Sequence, residues 1–401
     1  MRRAHIADPL IQGAVLARDL RAPSGEVLAR AGMTMTPRGT RALGAHGVDL
    51  CFVEDGASTG VHAAPIVDAA QADAPLLGAL REACAVVWRL AEGAAGRPTS
   101  RAVQDLRAMP IIGALDTSGA MDALRAAVAG FVVRAAQHDA SAGFLTERLR
   151  ADDLFGHSAG VAALTVRIGA DIGFQEADLA SAALAALTHD LGLLMVTEDI
   201  RQTPAEQRTP AQQRRYEDHT ILGRALLAGL EHRQPALPLV ALEHHEEQSG
   251  GGYPAGITGG NRLLRGASAS ASARPIALIS EVVAVADRYE RLVSPAPGKA
   301  ALSPAAARRV LSQEAGACLN AEVVGRFLDL FPQWPVGTEV VFAGGPLDGA
   351  RGLVVALDPS MADRPRVRLF ADRHGQPVDP VEVALAREPE FAIAVADGQA
   401  A

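Results

Sequence analysis

Cysteine is scarce in this 401-residue chain: Cys51, Cys84 and Cys318 stand far apart, without the paired spacing that holds zinc or builds a disulfide framework. They read as reduced packing residues of a cytoplasmic protein. Aromatic residues make up only 4% of the sequence, which argues against a broad stacking surface for nucleic acid. No long run of one charge sign is present either. The net charge of -8 is spread along the chain, so electrostatic capture of DNA, RNA or an anionic membrane is not expected. Long uninterrupted apolar runs are missing as well. MRRAHIADPLIQGAV has two arginines but no continuous apolar segment before Asp8 and Pro9, unlike a signal peptide. The most apolar stretch, ADLASAALAALTHDLGLLMV, carries His189 and Asp190, and charge is costly at membrane depth. It is expected to form a core helix of a soluble protein, with no membrane-spanning segment.

What the chain does have is small aliphatic bulk. Hydrophobic residues reach 49%, mainly Ala, Val and Leu, which predicts a helix-dominated interior. Residues 1–55 read as a small β-rich N-terminal module: VLARDL, a turn at SGE, VLAR, one helix that stops near Gly47, then DLCFV. Residues 56–75 are small and polar and read as a linker. Over 76–151, LLGALREACAVVWRLAEG and AMDALRAAVAGFVVRAAQ place apolar residues at helical spacing. The helical pattern continues over 152–332, where Gly266–Pro275 is a low-complexity loop. After Trp334, VGTEVVFAGG, ARGLVVAL and PRVRLFAD are short alternating runs, so 333–401 reads as a small all-β extension.

The helical stretch also holds a dense set of metal-binding side chain types: His157, His189-Asp190, His219, His244-His245 and Asp287, in that order. Imidazole and carboxylate together suit Zn, Mn, Fe and similar divalent ions, and an aspartate can bridge two of them. Adjacent helical residues point about 100° apart, so His244 and His245 can serve two different centres. A lone histidine is more often a surface or satisfied residue than a ligand. His5, His46, His62, His138, His232 and His374 are read that way. An isolated HD or HH doublet can equally lie on a solvated helix end; the ordered association of both doublets with single ligands and with the GGGYP turn at 250–254 shifts the balance.

HSAGVAAL at His157, THDLG at His189, EDHTILG at His219, EHHEEQSGGGYPAGITGG and AVADRYERLVSP at Asp287 together resemble the HD-GYP family. This is a branch of the HD metal-dependent phosphohydrolases that acts on cyclic dinucleotide second messengers. The resemblance covers 152–332, and the two flanks look like modules that often accompany such domains. It implies a mainly α fold: an all-helical HD-type domain with small β-rich N-terminal and C-terminal modules.

The resemblance also implies site roles. His157, His189, Asp190, His219, His244, His245 and Asp287 match the family's metal ligands, with Asp190 bridging, and His189 and Asp190 form the catalytic doublet. Asp153 stands where some members carry a Glu that supports a third metal. Two or three divalent ions, iron or manganese, are therefore expected. Gly252, Tyr253, Pro254 and Lys299 are the expected substrate-binding residues. The implied activity is hydrolysis of cyclic di-GMP to pGpG and on to GMP. Implied partners beyond the cyclic dinucleotide are a diguanylate cyclase domain docked on the GYP surface and a second copy of the chain. The sequence departs from the family at Leu193, in place of Lys, at Glu247 and Ser249, and at Ala296, in place of Arg. Losing one donor to a developing anionic charge costs about 100- to 1000-fold in rate. Those changes keep two alternatives open: a weak or inactive receptor or docking adaptor, and another HD-type nucleotide phosphohydrolase.

Overall fold

The computed structural model describes residues 2–21, 27–46, 48, 50–61, 74–137, 154–263, 275–294, 301–358 and 361–395. Asp153, Ala296 and Lys299 lie outside them, as does the low-complexity loop apart from Pro275.

At the N-terminus, β1 (Arg2–His5), β2 (Val15–Leu16), β3 (Leu20–Arg21), β4 (Val27–Ala29) and β5 (Leu50–Glu54) surround one helix, α1 (Pro37–Ala45). β5 is the centre of a three-stranded antiparallel sheet in the order β1-β5-β2, and β3 pairs with β4. Helix α1 starts where Thr36 accepts the Gly39 N–H and Pro37 occupies the first turn, a position that needs no donor. Ile11, Leu16 and Val53 fill the space beneath the sheet.

The central body is all helix: α2 (Ala74–Ala91), α3 (Thr99–Ala108), α4 (Ile111–Thr117), α5 (Ala120–Gln137), α6 (Leu154–Asp171), α7 (Glu176–Thr188), α8 (Glu198–Gln202), α9 (Pro210–Glu217), α10 (His219–Leu227), α11 (Ala236–Glu243), α12 (Leu278–Val293), α13 (Pro304–Glu314) and α14 (Ala321–Leu330). One core runs through it, from α2 to α14. Helix α6 is buried nearly all round, from His157 to Val166, because alanine, glycine and valine there let α5, α7 and α12 approach closely. Segment Glu176–Met195 is long and apolar enough to cross a membrane by length and composition, but 78% of its most apolar 18-residue window is buried inside the protein. It comprises α7 and the 3-10 turn that follows.

The C-terminal strands β6 (Glu339–Ala343), β7 (Arg351–Ala356), β8 (Arg366–Ala371), β9 (Pro377–Ala384) and β10 (Ala392–Val395) form one antiparallel sheet in the order β10-β6-β7-β8-β9. The mainly α class with β-rich ends is thus the observed one. The stretch read as a linker differs from expectation at both ends. Ala57 and Val61 are buried against Leu353, Phe370 and Ala371, and α2 already begins at Ala74. Arg351 on β7 reaches Asp8 Oδ2 at 2.5 Å, and Arg368 donates to the carbonyls of Ala57 (3.0 Å) and Thr59 (2.6 Å). The two β-rich ends therefore pack on each other, although more than 300 residues of chain separate these pairs.

Candidate metal centre

Each member of the set is placed at a helix end or on a helix face that the core forces inward. His157 lies in the first turn of α6, and His189 follows the last residue of α7. Asp190 then starts the 3-10 turn Leu191–Met195. His219 opens α10, His244 closes α11 with His245 next, and Asp287 is midway along α12. Gly192 lets the 3-10 turn lie against α10, where an added Cβ would overlap the His219 carbonyl and crowd the Gly223 amide. That close approach brings the HD doublet to His219.

All seven residues converge in two groups that share Asp190. One comprises Asp190, His219, His244 and His245; the other comprises His157, His189, Asp190 and Asp287. In each group the candidate ligand atoms lie within 4.8 Å of one another. The two Asp190 oxygens divide between them. Oδ1 is 3.2 Å from His219 Nε2 and 3.5 Å from His244 Nε2, whereas Oδ2 is 3.4 Å from His189 Nε2 and 3.6 Å from His157 Nε2.

The outer faces of the imidazoles are tied down. His189 Nδ1 donates to the Ala186 carbonyl (2.6 Å), His219 Nδ1 to Tyr216 (2.7 Å) and His244 Nδ1 to Val240 (2.9 Å). His157 Nδ1 donates instead to Glu290 Oε2 at 2.5 Å, and Glu290 also accepts the Ser294 hydroxyl. With Nδ1 donating, Nε2 of each ring aims inward, and in the neutral imidazole it keeps its lone pair, the orientation that partners behind the ring impose on metal-binding histidines. Among the described residues, His157 Nε2, His189 Nε2, His245 Nε2 and Asp190 Oδ1 are buried with no hydrogen-bond partner. Buried polar atoms without partners are costly. Lone pairs converging in this way fit divalent cations, and soft thiolates are absent from the set.

The electrostatics agree with this. Burial lowers the His244 pKa to about 4, against the pull of Asp190, and burial with the imidazoles of His244 and His219 lowers that of His245. Both are therefore neutral at pH 7, the state that coordinates. Asp190 and Asp287 resist the upward push of burial: His189 and Arg291 hold Asp190 well below the ordinary carboxylate range, and Arg291 and His157 do the same for Asp287. His157 is raised to about 10; burial and Arg291 oppose this, and Glu290, Asp190 and Asp287 outweigh them. A cation entering there takes the place of that proton.

The glycine-rich turn lies beside the histidines. The Tyr253 ring stacks on His245, with centroids 4.8 Å apart and planes at 28°. Gly252 passes so close to the His245 carbonyl and the Glu247 amide that a Cβ would overlap both. Glu246 pins the turn by accepting the amides of Ala255 (2.7 Å) and Ile257 (2.8 Å). Gly252 and Pro254 are part-buried next to Tyr253. Leu193, on the 3-10 turn, is buried at 7% exposure. Asp153 and Lys299, expected as a third-metal ligand and a phosphate contact, fall outside the described residues.

Two residues at the centre escaped the sequence reading. Glu290 orients His157, and Arg291 bonds both carboxylates of the second group. A signal was present in DRYER: Glu290 and Arg291 follow Asp287 by three and four residues, which puts them on the same face of α12.

The sequence model of the HD domain family matches residues 144–323. A cyclic di-GMP phosphodiesterase of Thermotoga maritima is 30% identical over 177 residues, which are 43% of this chain and 44% of that one. The cyclic di-GMP phosphodiesterase response regulator RpfG of Xanthomonas campestris pv. campestris is 29% identical over 165 residues, 40% of each chain. A solved structure of Bd1817, a HDG"Y"P protein from Bdellovibrio bacteriovorus, aligns over 82% of this chain and 98% of its own at 13% identity, with a TM-score of 0.46. The chain spans less than half the length of these two curated relatives. The central helical body therefore carries an HD domain. Its HD doublet and GYP turn make that domain similar to those of the HD-GYP family.

Proposed function

We propose that this protein is a metal-dependent phosphodiesterase that hydrolyses cyclic di-GMP to pGpG, and on to GMP, in second-messenger signalling. The observation that carries the proposal is the division of Asp190, one oxygen toward each histidine set. The relatives' names supply the substrate class. In this reading His219, His244 and His245 would hold one cation, His157, His189 and Asp287 would hold the other, and Asp190 would serve both. Iron or manganese suits such a hard and borderline donor set. Two divalent ions so held supply an acidified water and positive charge over the phosphoryl oxygens of an in-line displacement.

The remaining work falls to this chain's own side chains. Tyr253, whose hydroxyl pKa is pushed well up by burial and by Tyr216, stays a neutral donor beside the centre and can hydrogen-bond a phosphate or ribose oxygen. Gly252 and Pro254 shape the turn that presents it, and Lys299 is the phosphate-contacting cation that the resemblance implies. The experiment is an anaerobic turnover assay with cyclic di-GMP on iron- or manganese-loaded protein. Hydrolysis well above that of Asp190→Ala supports the proposal, and equal rates refute it.

The buried Leu193 and the carboxylate-bound Arg291 favour a second reading, in which the same pocket binds the dinucleotide and the GYP turn docks a partner such as a diguanylate cyclase domain. Saturable binding of cyclic di-GMP without turnover would select it.

A further inference from the structure

The second ligand group already carries a cation of its own. Arg291 lies one turn beyond Asp287 on α12, and its Nε is 2.8 and 3.0 Å from the two Asp287 oxygens. One terminal nitrogen of the same guanidinium is 2.6 Å from Asp190 Oδ2. These oxygens serve one half of the centre. Asp287 Oδ1 is 2.9 Å from His157 Nε2 and 3.5 Å from His189 Nε2, and Asp190 Oδ2 faces the same two rings. Asp190 Oδ1, which faces His219 and His244, accepts nothing from Arg291.

A guanidinium keeps its charge at any pH the fold tolerates. A divalent ion entering the half formed by His157, His189 and Asp287 must displace those three hydrogen bonds or sit next to a fixed positive charge. Either costs affinity, because charges inside a protein are weakly screened. Among the described residues no guanidinium hydrogen-bonds His219, His244, His245 or Asp190 Oδ1; the Arg291 charge reaches His245 without a hydrogen bond to it. The Arg291 side chain as a whole is 32% exposed.

We infer that Arg291 is a built-in competitor for the carboxylate-rich half of the centre. The two cation positions are therefore unequal: the histidine-rich half fills first, and the other fills only as Arg291 yields its carboxylates. The inference rests on the metal reading proposed above.

The test is calorimetric titration of the metal-free full chain with Mn2+, with the retained metal counted after gel filtration. Wild type is expected to show two unequal steps. Arg291→Met should tighten the weaker step by about 10- to 100-fold, the scale on which residues behind the ligands move metal affinity. Arg291→Lys, which keeps the charge, should retain the unequal pattern. His219→Gln leaves Arg291 untouched and removes the stronger step, so the step that remains must be the weak one. Two equal steps in wild type, an unmoved weak step in Arg291→Met, or a remaining step in His219→Gln as tight as the one lost would each overturn the inference. No Mn2+ binding by any of these proteins would overturn the metal reading and the inference with it.

Discussion

The two halves of the centre are built from the same kinds of residue but differ in what surrounds them. The half around His219, His244 and His245 is held by backbone carbonyls and an aromatic ring, and the imidazoles of His244 and His245 are neutral. In the half around His157, His189 and Asp287, His189 is again held by a backbone carbonyl, but charged groups flank the rest: Glu290 behind His157 and Arg291 across the carboxylates. Neutral supports orient a ligand without competing for the metal. Charged supports orient it and also set how much positive charge the site still wants. The difference teaches that two groups of ligand-type side chains sharing one aspartate can still offer a cation unequal surroundings.

The hardest break is at the residue both halves share. Asp190→Ala removes a ligand from each and leaves Arg291 with only Asp287. Retention of both cations should be lost, and turnover of cyclic di-GMP should fall to background; elemental analysis beside the anaerobic assay checks both. Next in size is Gly192→Ala, which drives a methyl group into the His219 carbonyl where the halves meet. Overpacking against backbone should cost about 3 kcal/mol. A lower urea midpoint at unchanged slope would show it, and an unchanged midpoint would contradict the close approach.

Smaller changes separate the halves. Glu290→Gln keeps an acceptor for His157 Nδ1 but removes its charge, so the carboxylate-rich half should weaken by about 10-fold and the other should not move. Tyr253→Leu should act on the opposite side. It removes the ring stacked on His245, an interaction worth about 0.5–1.5 kcal/mol, and should loosen only the histidine-rich half. Tyr253→Phe keeps the stack and should leave metal affinity as it is. If Glu290→Gln and Tyr253→Leu shift the same calorimetric step, the division into two halves is wrong.

The parts of this centre differ in how legible they are from sequence. The convergence of the seven side chains could be read because histidine and aspartate at helix ends, in two doublets and in one order, have few other reasons to occur together. The alanine- and valine-rich composition likewise foretold a helical body with close packing, as α6 shows. Arg291 was harder. Its spacing from Asp287 is visible, but its bond to Asp190 spans 101 residues, and nothing local says which distant carboxylate a guanidinium will meet. Tyr253 is a similar case: the turn was visible, but the ring's place against His245 depends on the pinning of that turn by Glu246. The burial of Ala57 and Val61 in a stretch that reads as linker has the same origin, a partner surface contributed by a β-sheet far along the chain.

The smallest expected effect lies away from the centre, where the β-rich ends meet. Arg351 bonds Asp8 at 2.5 Å and also engages Glu339, with side chains 26%, 8% and 12% exposed. Part-exposed ion pairs contribute little, so Arg351→Ala and Asp8→Ala should each cost about 1 kcal/mol or less. Their double mutant should cost less than the sum of the two, because the second change removes a partner already lost. A urea-denaturation cycle over the four proteins measures that coupling. Calorimetry with Mn2+ on the same four proteins extends the comparison to the centre, since neither residue contacts a ligand of either half. Both metal steps should stay where they are in wild type. Movement of either step would mean that the packed ends bear on the centre through the helices between them.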